Sequence, residues 1–259
     1  MRVSTLTRLA VFAFLTVSLS CWGQSRALTL EEILHRMQTA EAESRDPNVA
    51  YTVTREYQLS AQGARQPSSQ VVAEVSFVPP AAKEYVIVKS EGSDRGAGIV
   101  RKVLEHETQM SRHSEQHELT SRNYDFALLG QETIAGHDCY VLQLLPKRQA
   151  VELVRGRMWV DAGNFAVRRI EGETAKSPSM WIKDVRVTVE FGQVNGVWLQ
   201  TSTRAVAEVR FVGPHVLTSR ELDVRTAEVS AQAQSTSRLR WQRAGRRHTS
   251  ADTATWLAR

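Results

Sequence analysis

Between Asn123 and Trp181 the chain passes through four β-type segments, each cut short by a turn, and this succession constrains the fold more than any other feature. Ala135-Gly136 separates Phe126–Ile134 from Cys139–Leu145, and Asp161-Ala162-Gly163-Asn164 separates Glu152–Val160 from Phe165–Glu171. Short strands at this spacing, with turn residues between them, pair as an antiparallel meander.

The flanking segments alternate in the same way. In Val49–Leu59, Tyr51, Val53, Tyr57 and Leu59 share one face, with Arg55 as a charged exception. Gln62-Gly63-Ala64 reads as a turn, Gln70–Val78 as the return strand ended by Pro79-Pro80, and Tyr85–Lys89 as a third strand. In Trp181–Phe191 the residues Trp181, Val185, Val187, Val189 and Phe191 share a face, with Lys183 as the exception. Gly192–Gly196 reads as a hairpin loop, Val197–Val212 as a long strand broken by Gly213-Pro214, and Val216–Val224 as the last strand.

Two stretches have helical spacing. Thr29 and Glu32 stand three apart, as in a capping box, and Ile33, Leu34 and Met37 follow on one face, predicting a helix over about 30–44. Ile99–Met110 carries Val100, Val103 and Leu104 on one side, after a Gly-rich connection from Gly92 to Gly98 that lacks the Gly-Lys-Ser/Thr of a P-loop. So many strands cannot lie flat. The expected fold is mainly β (α+β): a strongly curved antiparallel sheet, or half-open β-barrel, of about ten strands, with one or two helices covering its concave face.

Charge sets the outer limits of the chain. Residues 1–27 hold three Arg and no acid, and residues 231–259 hold six Arg and one Asp, so of a formal net charge of +5 the body 28–230 carries −3. The body is mildly acidic, so the high pI is no argument for nucleic-acid binding by the fold, and no nucleic-acid partner is expected. Residues 1–27 read as a signal peptide, with Arg2 and Arg8 before the apolar Leu9–Leu19, and direct the protein to the periplasm. Lipid attachment at Cys21 is the minor alternative, because Ser18 stands where an aliphatic residue is usual. Residues 28–229 form the folded domain. Residues 230–259, rich in Ser, Thr, Gln and Arg, read as a disordered basic tail whose Arg238, Arg240 and Trp241 leave peripheral membrane contact open. After cleavage Cys139 is the one cysteine, without a partner for an intramolecular disulfide and without a neighbouring base to activate it.

Candidate chemistry is sparse. His106, His113 and His117 would share a face of one continuous helix, but no His-Glu-x-x-His pattern accompanies them, so a solvated helix end is the expectation and no metal is assigned. Asp161, Glu171 and Asp184 lie among Arg157, Arg168, Arg169 and Arg186 and read as ion pairs at the surface. There is no Gly-x-Ser-x-Gly and no triad spacing, so the reading is not an enzyme, with no catalytic residue and no cofactor.

The order of motifs resembles the periplasmic outer-membrane lipoprotein-sorting superfamily, the lipoprotein carrier and its relatives. The residues concerned are Asn123-Tyr124-Asp125-Phe126, Leu129-Gly130, Tyr140-Val141-Leu142 with Pro146-Lys147, Trp159-Val160-Asp161, Arg169-Ile170-Glu171-Gly172 and Ser177-Pro178-Ser179, over a span of about 28–225. The resemblance implies an incomplete barrel with helices at its mouth and an apolar cavity for acyl chains. The lining residues expected here are Tyr51, Val53, Tyr57, Phe77, Trp181, Val185, Val187, Val189 and Phe191. The expected partner is a lipid or lipoprotein acyl chain, with a carrier or chaperone role. The alternative is an envelope sensor on the same fold that binds a protein partner, as a related branch of anti-sigma-factor regulators does.

Overall fold

A computed structural model describes residues 28–44, 50–78 and 82–226. The expected signal peptide, Cys21 and the whole of the expected tail 230–259 lie outside them. The elements in chain order are α1 (Leu30–Ser44), β1 (Tyr51–Ala61), β2 (Ser69–Val78), β3 (Ala82–Gly92), α2 (Asp94–Ser111), a 3-10 turn (Ser114–Gln116), β4 (Tyr124–Ile134), β5 (His137–Pro146), β6 (Val154–Asp161), β7 (Val167–Thr174), β8 (Ile182–Val194), β9 (Val197–Val209) and β10 (Gly213–Thr226). The strands form one open ten-stranded antiparallel sheet in the order β3-β2-β1-β10-β9-β8-β7-β6-β5-β4. The expected half-open barrel with two helices is the architecture found.

β3 and β4 are consecutive in the chain but lie at opposite edges of the sheet, so the chain between them, α2 and the 3-10 turn, spans from one edge to the other. The pairings also define a single inner face. Val71 faces Tyr57, Tyr57 faces Ser219, Ser219 faces Thr203, Thr203 faces Val189, Val189 faces Ile170, Ile170 faces Met158 and Met158 faces Leu142. Directly paired residues project to the same side of an antiparallel sheet.

Both helices pack on that inner face. α1 begins with the expected capping box: Thr29 N–H donates to Glu32 Oε2 at 2.8 Å and Glu32 N–H to Thr29 Oγ1 at 3.2 Å. Its Ile33 and Met37 are buried against Leu142, Leu144, Met158 and Val160. α2 buries Val100 and Leu104 against Tyr57, Val71, Ala73 and Val75. α2 starts at Asp94 rather than near Ile99, because Ser93 caps it by accepting from Gly96 N–H at 3.1 Å. The Gly-rich stretch is therefore the first turns of the helix. Gly96 is buried there against β2, where an added Cβ would fall 2.4 Å from Ser69 Cβ.

A second close approach joins β6 to β7. Gly156 faces Gly172, and a Cβ on Gly156 would meet Glu171 O at 2.0 Å and Gly172 Cα at 2.6 Å. Such a glycine pair lets two backbones crowd at one point of a bent sheet. The β8–β9 connection is also tighter than the expected loop. Gly192 stays in the strand opposite Leu199, and Asn195-Gly196, both at positive φ (49° and 83°), make a two-residue turn that suits the twist of the flanking strands.

Candidate functional site

The inner face is covered unequally. Under α1 the strands present Leu142, Leu144 and Met158, and under α2 they present Tyr57, Val71 and Val75, all buried. Between them β8 and β9 present Val185 opposite Ala207, Val187 opposite Ala205 and Val189 opposite Thr203. These six are half-buried, and none belongs to the packed clusters beneath either helix. The centre of this inner face is thus a strip of small, mostly apolar side chains that lies between the two helix-covered clusters.

The nine residues expected to line a cavity do not form one surface. Val185, Val187 and Val189 are the floor of this strip. Tyr57 is 1% exposed beneath α2. Val53 packs with Leu199 and Val224, flanked by Tyr51, whose ring stacks on Phe77 at 5.2 Å. A register shift after Glu190 sets Phe191 against Gln200. Trp181 precedes β8, is 58% exposed, and lies 6.4 Å from the ring of Phe211.

Next to the strip lies a group of charges under α2. Arg55, the exception on the apolar face of β1, is buried there. Its guanidinium pairs with Glu107 of α2 at 3.5 Å and donates to Gln200 O at 3.1 Å. Glu221 is its cross-strand neighbour, and Gln200 Nε2 donates to Thr203 Oγ1 at 2.5 Å, linking the group to the strip. Burial pushes the Glu221 carboxyl above its ordinary value, with Arg55 offsetting part of the rise and Asp223 adding to it. Burial pushes the Tyr57 hydroxyl up to about 12, Glu107 adds to the shift, and Arg55 works against it. Tyr57 Oη and Glu221 Oε2 are both buried without a hydrogen bond of good geometry. The sequence signal for this group was the single charged residue on an apolar strand face.

The outer face carries polar chemistry of its own. An open hollow of about 380 Å³ is bordered by Glu56, Thr188, Glu190, Arg204 and Arg220. Its acids are matched: Glu56 takes hydrogen bonds from Arg220 at 2.6 Å and Gln70 at 2.5 Å, and Glu190 pairs with Arg169 at 2.8 Å. It is a polar hollow on the opposite side of the sheet from the apolar strip.

Other sequence-level candidates resolve structurally. His106 is on α2, which ends at Ser111, while His113 and His117 bracket the 3-10 turn, so the three do not share a helix face. Among the described residues no group of three metal-type ligands occurs. Asp161 is buried rather than superficial. Its Oδ1 accepts from Gly163 N–H at 2.7 Å and Asn164 N–H at 3.2 Å, and its Oδ2 from Arg168 Nε at 2.5 Å. Burial by itself would raise this carboxyl, but the Arg168 and backbone hydrogen bonds outweigh it and hold it below the ordinary value. Cys139 is fully buried beside Val141 and Trp159, and burial raises its thiol. Asn123 of the Asn-Tyr-Asp-Phe motif is a structural tie: its Nδ2 donates to Glu115 O and Glu118 O, both at 2.9 Å, and its Oδ1 accepts from Arg148 at 2.8 Å. Among the described residues no helix is long and apolar enough to cross a membrane.

With this geometry in place, comparison with known proteins adds the following. The MucB/RseB N-terminal domain family matches residues 47–152, and a family described as an uncharacterized protein matches residues 110–210. No curated protein sequence matches the chain. Among solved structures, a LolA superfamily protein from Nitrosomonas europaea is 15% identical, with 77% of this chain and 94% of that chain covered and a TM-score of 0.36. A putative outer membrane lipoprotein-sorting protein domain from Vibrio parahaemolyticus is 12% identical, covering 75% and 92% with a TM-score of 0.44. The MucA/MucB complex of Pseudomonas aeruginosa is matched at 12% identity over 74% and 97%, with a TM-score of 0.23. The architecture itself rests on the sheet order and register given above.

Proposed function

We propose that this chain is an exported, non-enzymatic periplasmic protein that takes a lipid or lipoprotein acyl chain into the concave face of its sheet. The strip of Val185, Val187, Val189, Ala205 and Ala207 between the two helices is the observation that carries this reading. An acyl chain suits such a surface, since each buried CH₂ contributes about 0.8 kcal/mol without any directed polar contact. On this reading Val185, Val187 and Val189 form the floor, with Tyr51, Val53, Phe77 and Phe191 toward one end, Trp181 at the other, and Tyr57 beneath α2 to one side. The role that follows is that of a carrier or chaperone for lipid or lipoprotein moving through the envelope. The described residues, from 28 to 226, fall within the expected domain 28–229.

The test is to secrete the chain with its own leader, purify it without detergent, extract it with organic solvent and analyse the extract by mass spectrometry. A stoichiometric lipid or acylated peptide is expected. Val187→Arg is expected to abolish uptake while preserving the far-ultraviolet circular dichroism of the sheet; unchanged uptake removes the strip from consideration.

A second reading has its own support in the match of residues 47–152 to the MucB/RseB N-terminal domain. MucB has been solved in complex with MucA. On this reading the same fold binds an envelope protein. A folded wild-type protein that carries no lipid, and that retains a stoichiometric partner from envelope extracts, favours it over the carrier.

A further inference from the structure

The rim where β8 begins and β9 ends carries four large apolar side chains in solvent. Met180 is 74% exposed, Trp181 58%, Phe211 93% and Val212 67%. They come from two loops tied together: Arg210 N–H donates to Trp181 O at 2.8 Å, and the Trp181 and Phe211 rings tilt toward each other at 6.4 Å. Each loop is also braced from within, by Ile182 N–H to Ser179 O at 3.2 Å and Val212 N–H to Val209 O at 3.3 Å. Phe211 sits at φ 66°, a left-handed conformation that a bulky residue rarely adopts, although Gly213 stands only two positions on. A contiguous apolar projection of this kind on a protein surface marks an interaction site.

Shape and charge select the occupant. The patch is a projection formed by two turns, which suits insertion into a soft surface. A Trp and a Phe beside basic residues are the side chains that settle at a bilayer interface. On the same loops and strand ends, Lys176, Lys183 and Arg210 are exposed, with Asp184 and Glu208 as exposed acids and Glu173 matched by Arg186 at 3.2 Å. Arg65 is exposed on the adjoining loop, which is joined to this rim by Gln62 N–H donating to Pro214 O at 2.9 Å. The balance is positive, which fits anionic headgroups. The patch also continues the groove: from Val185 opposite Ala207, the next pair outward is Ile182 opposite Val209, and Trp181 and Phe211 lie just beyond.

We propose that Met180, Trp181, Phe211 and Val212 form a docking tip that inserts into the interfacial layer of an anionic phospholipid bilayer, placing the end of the concave groove at the membrane. The inference stands apart from the acyl-chain reading, because a membrane-docked tip serves a partner-binding protein equally well.

The full-length secreted protein, tail included, is incubated with sucrose-loaded vesicles of phosphatidylethanolamine and phosphatidylglycerol and sedimented, with pure phosphatidylcholine vesicles as the uncharged control. Wild type is expected to co-sediment more strongly with the anionic vesicles. Trp181→Ser/Phe211→Ser is expected to lower the partition coefficient about tenfold or more, given the apolar area removed. Because the tail is unchanged in this variant, equal binding by wild type and variant overturns the proposal, as does absence of vesicle binding by wild type. That second outcome, with an envelope protein retained through the patch, assigns the tip to a protein partner. Should the double variant misfold, brominated lipids give an independent reading in folded protein. Their quenching of wild-type fluorescence is expected to fall in Trp181→Phe, and undiminished quenching overturns the assignment. Val187→Arg is expected to dock normally on vesicles, so a failure of acyl uptake and a failure of docking are read separately.

Discussion

Arg55→Met tests whether the charges beneath α2 hold that helix on the sheet. Methionine keeps an unbranched apolar stem and deletes the guanidinium. Arg55 has a side chain 9% exposed and faces Glu107, 26% exposed, at 3.5 Å, so the pair sits largely out of water. Removing one partner of a fully buried pair costs about 3–5 kcal/mol. Glu107 keeps some hydration, which lowers the expectation to about 2–3 kcal/mol. The loss is compounded at Glu221, whose Oε2 is already buried without a hydrogen bond. Arg55 is what holds the Glu221 carboxyl down against its burial, so without Arg55 that carboxyl rises further. A folded-state value above the ordinary 4.5 means that the folded protein retains a proton the unfolded chain has lost. Stability therefore falls as pH rises through the interval between the two values, and the variant is expected to lie closer to wild type below that interval than above it. Urea unfolding followed by circular dichroism across this pH range, with m-values checked for constancy, measures both effects. Arg55→Met/Glu107→Gln/Glu221→Gln should recover about half of the loss, because no uncompensated charge remains. A loss under about 0.5 kcal/mol for Arg55→Met, or one independent of pH, would refute the argument that these charges are buried and coupled.

Three further outcomes follow from the same geometry. Tyr57→Phe should be near neutral at pH 7, since the buried hydroxyl makes no hydrogen bond of good geometry. Because the folded-state value of Tyr57 is raised from 10.0 to about 12, wild-type stability should fall as pH climbs through that window, by about 2–3 kcal/mol at its top, and Tyr57→Phe should lack this slope in urea titrations. Asp161→Asn leaves Arg168 without its carboxylate and should cost about 2–3 kcal/mol near neutrality. Asp161 is held below its ordinary 3.8, so its contribution is present above that value and disappears as pH falls through the lower folded-state value; the variant should converge on wild type in acid, as followed by thermal unfolding. Gly156→Ala drives a methyl into Glu171 O and Gly172 Cα across β6 and β7, and should lower stability by about 3 kcal/mol or prevent folding, judged by yield and Tm.

Much of the sheet was legible because alternation, turn residues and capping boxes are local signals. The capping box of α1, the turn at Asp161–Asn164 and the meander β4–β7 all lie where residue types placed them. The misreadings share a cause: glycine was taken as a loop residue where tertiary packing uses it inside an element. Gly96 is a helical residue because β2 comes too close for a Cβ, and Gly192 is a strand residue opposite Leu199. The site was legible only in outline. Val185, Val187 and Val189 were identified by periodicity, but periodicity could not tell that Tyr57 would be covered by a helix and Trp181 left outside the strand. Arg55 stood out on an apolar face, yet its partner Glu107 is 52 residues away on another element. The outer hollow was not anticipated, since Glu56 and Arg220 are 164 residues apart and meet only through the β1–β10 pairing.

The distribution of side-chain size across the inner face argues that the groove is built rather than left over. Where α1 and α2 cover the sheet, the strands present Leu142, Leu144, Met158, Tyr57 and Val71, which pack with the helices and exclude water. Where neither helix packs, they present valine, alanine and threonine: Val185, Val187 and Val189 against Ala207, Ala205 and Thr203. A sheet face meant only as closed core would carry larger apolar residues there, because unfilled space between the two helices forfeits packing energy. Polar residues there would be the cheap alternative for a face given over to solvent. Small apolar residues do neither. They keep the depth and keep it apolar, a combination that is favourable when something apolar from outside occupies the space. Val187→Arg and Val187→Leu separate the two explanations: filling the groove with Leu should raise Tm and lower acyl uptake together, whereas a strip that is merely loosely packed core should gain stability from Leu with uptake unchanged.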